Sequence, residues 1–534
     1  MRPGGNRRTR NAGSIARLAR AVLLSGALAL GGCGGMPTIN FGPGPTPQAA
    51  AAAAGNGMPG YIKGFLGGVA ADEPSAALVG REVLSAGGTA ADAAVAVGFA
   101  LAVTLPSRAG LGGGGACLAY APTGKGPSAG VPQAVLFVTP APSHPGAADR
   151  PAAVPMLARG LFLLHAQYGN RRFESLLGPA EQMARGGVTV SRSLAHDLAV
   201  VARPLARDPA ARATFFVNGA PIAEGAHFVQ PGMAATLAQL RRFGVGDLYQ
   251  GQLAHILTTA AGDAGAGLAV EDLRAALPHM APALLLPAGD DRVAFLPPPA
   301  DGGLAAAAAF QALRQAPAAI EAAGWQGLAV ASRWRQGGGD PAALLQAAAT
   351  LPAATLPPLP ASTAFAVLDR QGAAVVCALT MNNLFGTGRV AAGTGILLAA
   401  SPAMVPPPLL AAALAYSPRR HAFRAVVGAA GQDGASLAAA LAMTRALADA
   451  GPVAHPNAEP VPAPGRADVI ACPGYVPGRP QSCGWAADPR GSGLAVGQAV
   501  GAGAGPEAAS PGAASPDTGV PGNTQGIPIL PPYR

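Results

Sequence analysis

The fold is decided by residues 359–388, LPASTAFAVLDRQGAAVVCALTMNNLFGTG. Two largely apolar runs flank Asp369-Arg370-Gln371-Gly372, which carries aspartate at the first and glycine at the last position of a type I turn. The stretch therefore predicts a strand, a tight turn and a second strand. Ser362 and Thr363 stand at the mouth of the first strand, and Thr380 and Asn382 close the second. If Arg370 and Gln371 form the whole loop, Ser362 faces Leu379; a one-residue bulge at Gly372 moves its partner to Thr380. The local geometry brings these hydroxyls to one end of the hairpin. The same pattern also fits an ordinary buried hairpin whose Ser and Thr are polar punctuation.

Outward from the hairpin, a chain of 534 residues, 50% hydrophobic, has the material for two to four domains or one large two-lobed body. Its formal charge is +9, but six arginines lie in the first 32 residues, which hold no Asp, Glu or Lys; removing those six leaves +3. With no basic stripe and no aromatic interleaving, a nucleic-acid partner has no support. The Arg-rich start, the apolar run AVLLSGALAL and Leu30-Gly31-Gly32-Cys33 follow the order of an export signal. The apolar run is too short for a permanent membrane span. Small residues directly before a cysteine resemble a bacterial lipoprotein signal, in which Cys33 becomes the lipidated first residue of the mature chain. An ordinary cleaved signal with an incidental cysteine is the alternative. The expected organisation is a signal at 1–32, a Gly/Pro/Ala tether at 33–60, a folded body, and a disordered Pro/Gly/Ala-rich tail at 499–534. The expected location is the periplasmic side of the envelope, with the membrane as a partner through Cys33 and the choice of inner or outer membrane open.

Residues 74–105 show helical spacing interrupted at Gly87-Gly88, a helix stop and restart, and the second helix is apolar all round, as a buried helix is. The loop after it holds Gly110, Gly112 and Gly115 at the spacing of a dinucleotide fingerprint. A strand, ACLAYA, follows instead of a helix, and no acidic residue stands about 20 positions on. A nucleotide site is therefore rejected.

These residues carry a family resemblance. The segment AADEPSAALVGREVLSAGGTAADAAVAVGFALAVTLPSRAGLGGGGACLAYAP resembles the opening of gamma-glutamyltransferases, and the likeness continues through residues 154–198, 228–257 and 269–278. It resumes at the hairpin and ends with ADPRGSGLAVG at 487–497. The resemblance implies an α+β fold, the four-layered αββα sandwich of N-terminal-nucleophile hydrolases, made as one precursor that cuts itself. The family's cut precedes a Thr-Thr-His-aromatic-Ser-Val-Val-Asp run, which matches Ser362 to Asp369. The implied cut lies between Ala361 and Ser362, dividing the body into a large segment, 61–361, and a small one, 362–498. Ser362 is then the nucleophile: a hydroxyl is weak at neutral pH, and the freed α-amino group, with a pKa near 8, can act as its base. Thr380 matches the threonine that supports the nucleophile, and Asn382 an asparagine at the substrate end. Gly431 and Gln432 match the backbone donors of the oxyanion hole, with Gln432 in place of a glycine. The implied reaction is amide hydrolysis or acyl transfer on a gamma-glutamyl or related small amide or peptide substrate, without cofactor.

The glutamate-binding end departs from the pattern. Val138 stands where the family has an arginine for the substrate carboxylate, Ala403 and Met404 where it has acidic residues, Leu414-Ala415 where it has a Ser-Ser pair, and Ala364 where it has a histidine. Each charge-assisted hydrogen bond lost is worth about 1.5–3 kcal/mol. A catalytically inactive, lipid-anchored envelope protein that keeps the scaffold is the alternative. The eight histidines show no metal spacing, and no metal is expected. Cys117 and Cys377 read as free core residues, and Cys472 and Cys483 as candidates for a disulfide.

Overall fold

The computed structural model describes residues 64–123, 129–448 and 459–497; the expected signal, Cys33, the tether and the tail lie outside them. The described chain enters a first sheet at β1 (Gly67–Ala71) and leaves it through α1 (Pro74–Ser85) and α2 (Ala90–Thr104). The helices part at Gly87 as the glycine pair predicts. Every residue of α2 is buried, and a reciprocal Thr89–Asp92 capping box starts it.

The glycine loop then feeds β2 (Gly114–Tyr120) and β3 (Gln133–Phe137), and α3 (Leu157–Tyr168) and α4 (Phe173–Gly186) follow. A Cβ on Gly113 would collide with the Thr380 carbonyl oxygen, so glycine in this loop serves close backbone approach. Short helices occupy much of 192–275 before β4 (His279–Pro282), β5 (Leu284–Ala288) and β6 (Asp291–Phe295). The chain continues through α5 (Asp301–Gln315) and α6 (Ile320–Gly337) into the hairpin β7 (Ser362–Asp369) and β8 (Ala374–Thr380). It closes with β9 (Ala411–Ser417), β10 (Ala422–Ala430), α7 (Ala435–Ala448), β11 (Arg466–Val476), β12 (Gly484–Ala486) and β13 (Leu494–Gly497).

Among the described residues, one sheet has the order β13-β1-β7-β8-β2-β3-β4 and a second β12-β11-β10-β9-β6-β5. Alternation along the strands divides the core into three layers. Phe365, Val367, Val375 and Cys377 face α1–α4, whereas Ala366, Leu368, Val376 and Ala378 meet Leu414, Val426 and Ile470 of the second sheet. The other face of the second sheet packs on α5–α7. This is the expected αββα sandwich.

The hairpin takes the bulged register. Ser362 pairs with Thr380 and Leu368 with Ala374. The amide of Gly372 donates to the Asp369 carbonyl, and Gly372 adopts φ +87°, the glycine-favouring conformation of such a bulge. Asp369 binds the turn amides of Gln371 and Ala373 and also that of Ala90, tying the turn to the start of α2.

One cysteine reading changes and the other holds. Cys117 and Cys377 are not free: they sit directly opposite each other on β2 and β8 and form a disulfide. Cys472 and Cys483 form a second one.

Candidate active site

Strand parity decides which hydroxyls converge. Ser362 and Thr380 share the parity of Ala366 and Ala378, whose side chains face the space between the sheets. Thr363 is otherwise engaged: its hydroxyl donates to Asp72 at 2.7 Å, and the same carboxylate oxygen accepts the Ala364 amide at 3.3 Å.

The Thr380 hydroxyl donates to the carbonyl oxygen of Ala361 at 3.0 Å, so it addresses the peptide bond joining Ala361 to Ser362. It is held in place by the Asn382 amide, which donates to its oxygen at 2.9 Å. Asn382 is buried; its side-chain amide donates to Thr139 at 2.7 Å and to the Ala400 carbonyl at 2.8 Å.

From the second sheet, Gly428 of β10 abuts the Ala364 side chain. Three residues on, Gly431 and Gln432 both adopt positive φ, +110° and +55°. Glutamine thus holds the torsion that a glycine would take more easily. Its side-chain amide donates to the Leu359 carbonyl at 2.9 Å, anchoring the strand entry just before Ala361.

Extending the β2–β3 register by one residue sets Val138 beside Gly114, in the row Ser362–Thr380–Gly114–Val138. Val138 packs against the core between the sheets. Three strand spacings, about 14 Å, separate it from Ser362, so a cation on a long side chain here would meet the far end of a substrate lying between the two, and valine offers none. Ala403 and Met404 are exposed just beyond Ala400, which binds Asn382. Leu414 lies deeper: Ala412 is the residue opposite Gly428, and Tyr416 stacks on Tyr120 toward the turn end of the hairpin. The strand start at the Ser362 end carries Leu409 and Leu410 instead, equally apolar.

Buried carboxyls around this end escaped sequence reasoning. Glu73 follows Asp72; burial pushes its carboxyl up to about 8, and its Oε2 has no hydrogen-bond partner among the described residues. Asp468 of β11 is also raised, first by burial and then by the charge of Asp72. Asp488, gripped by Arg490 at 2.7 Å, docks the closing motif by donating its amide to Asp468 at 3.4 Å. The available signal was acidic residues inside the apolar runs GGVAADEP and RADVIAC. No group of three or more His, Cys, Asp or Glu side chains among the described residues is arranged to hold a metal.

Comparison with known proteins bears on the family and the fold. A family model described as gamma-glutamyltranspeptidase matches residues 76–340. The glutathione hydrolase proenzyme of Escherichia coli is 28% identical over 397 residues, 63% of this chain and 66% of that protein. The chain belongs to the gamma-glutamyltranspeptidase family. The glutathione hydrolase proenzyme of Bacillus subtilis is 30% identical over 258 residues, 44% of this chain and 42% of the relative. The matches thus span between 42% and 66% of the lengths of these two curated relatives. The cephalosporin acylase structure from Bacillus halodurans has a TM-score of 0.66 at 19% identity and covers 85% of this chain and 99% of the acylase. That likeness establishes the shared fold.

Proposed function

We propose that this family member is a self-processing N-terminal-nucleophile hydrolase or acyltransferase for gamma-glutamyl or related glutathione-like amides, with a degenerate glutamate clamp. The observation that carries the proposal is the Thr380 hydroxyl on the Ala361 carbonyl, beside Ser362.

In the uncut chain, Ser362 Oγ attacks the Ala361 carbonyl carbon while Thr380 stabilises the developing oxyanion. Breaking the C–N bond transfers the acyl group to Oγ, and the nitrogen takes the hydroxyl proton. Water then hydrolyses the ester, leaving the Ala361 carboxylate and Ser362 as a new N-terminus. In the cut protein the free α-amine accepts the Ser362 hydroxyl proton as Oγ attacks the substrate amide, then passes it to the leaving amine as the substrate C–N bond breaks and the acyl group stays on Oγ. Backbone N–H groups at Gly431 and Gln432 serve the new oxyanion. Water or an amine releases the acyl group.

Val138, Ala403 and the apolar Leu410, which faces the space between the sheets, support weak binding of a zwitterionic head group and favour less polar acyl groups. The same residues favour the second reading, a non-catalytic envelope scaffold. Export with a lipid anchor at Cys33 is part of the proposal, and the two disulfides fit an oxidising compartment.

A reducing denaturing gel with N-terminal sequencing separates the two readings. Self-processing gives two chains, the smaller beginning at Ser362, and a single chain for Ser362→Ala. A wild-type protein that stays whole supports the scaffold. Hydrolysis of a gamma-glutamyl anilide as fast as by the relatives would refute the degenerate clamp.

A further inference from the structure

The cut proposed at Ala361–Ser362 has a topological consequence for the cysteines. Cys117 lies before it and Cys377 after it, and the disulfide between them spans 260 residues of sequence. The Cys472–Cys483 bond lies wholly after the cut, with a separation of 11. The fifth cysteine of the chain, Cys33, lies outside the described residues. Among the described residues, the bond between β2 and β8 is therefore the one that crosses the cut.

We infer that the mature protein is a covalent heterodimer, its large and small chains joined by Cys117–Cys377. The inference rests on the self-processing reading. The two steps are chemically independent. Forming the bond removes two protons and two electrons from two thiols and passes them to a protein disulfide oxidant by thiol–disulfide exchange. The cut breaks the Ala361–Ser362 amide alone and leaves both sulfurs as they were.

The bond is sheltered as well as placed. Both cysteines are 0% exposed, facing the helical layer among Val135, Val375 and Leu379. Thiol–disulfide exchange needs access to sulfur, so the folded protein resists reductants that act readily once it is unfolded. In the folded state the link is redundant for holding the chains together, because each sheet takes strands from both sides of the cut. Its effect appears on unfolding. Two separate chains must find each other by diffusion, whereas a linked pair refolds as one molecule at a high effective concentration.

The test uses full-length protein purified without reductant, with free thiols blocked by iodoacetamide in denaturant. Parallel denaturing gels are run with and without dithiothreitol. The expected result is one band near the uncut mass without reductant and two with it. Peptide mapping should recover a linked fragment containing Cys117 and Cys377. A Cys117→Ala/Cys377→Ala double variant should give two bands in both lanes. If that variant does not accumulate, the wild-type gels and the peptide map still decide. Two wild-type bands in both lanes overturn the covalent link and leave self-processing standing. One band in both lanes overturns self-processing, and the inference with it.

Discussion

At the scale of single residues, Thr380 joins structure to proposed chemistry. Its hydroxyl donates to the Ala361 carbonyl while its oxygen accepts the Asn382 amide. Valine keeps the shape and removes the donor. Thr380→Val should therefore slow conversion to two chains by about 10²–10³, the usual cost of one oxyanion donor. Thr380→Ser should keep the rate within about tenfold, measured by a time course of freshly refolded precursor on reducing gels. Glu73 gives a prediction with a definite sign. Its carboxyl rises from 4.5 to about 8 on burial, so the folded protein binds a proton that the unfolded chain releases in that interval. The stability contribution is fully present below about 4.5 and is lost as pH rises through about 8. Denaturant titrations between those pH values should fall less steeply for Glu73→Gln than for wild type, by up to about 1.4 kcal/mol per pH unit. Parallel curves would refute the buried, protonated glutamate.

At the scale of elements, the hairpin and α2 act as one unit because Asp369 serves both. It accepts the amides of Ala90, Gln371 and Ala373 at 2.9–3.0 Å. Asp369→Ala leaves these donors unpaired in a buried setting and should cost at least about 2 kcal/mol in denaturant unfolding. Gly372→Val asks a β-branched residue to take φ +87° with its Cβ against the Val476 carbonyl. It should destabilise by about 1–3 kcal/mol or more. A neutral result at Gly372 would mean that the bulged register, and with it the Ser362–Thr380 pairing, is wrong.

At the scale of the whole molecule, each sheet contains strands from both sides of the proposed cut. Processing should therefore leave the hydrodynamic size unchanged on native gel filtration; two separate smaller peaks would contradict the shared sheets. The proposed anchor is tested at the same scale. Cys33→Ala should move the protein from the membrane fraction to the soluble one, and unchanged fractionation would argue against lipidation there.

Local sequence determined what local physics controls. The turn chemistry of Asp369 to Gly372 and the apolar runs beside it defined the hairpin, and the all-round apolar α2 declared its burial. The order of motifs pointed to the layered fold and to Ser362. Tertiary structure decided what depends on strands far apart in the chain. It chose the Thr380 register over Leu379. It gave Thr363 to Asp72, 291 positions earlier. It paired Cys117 with Cys377, and it set Leu409-Leu410 rather than Leu414 at the mouth of β9. Turn and periodicity signals extend over only a few residues. Sheet order and strand register arise when distant segments close on a common core, and those closures set the neighbours of Ser362.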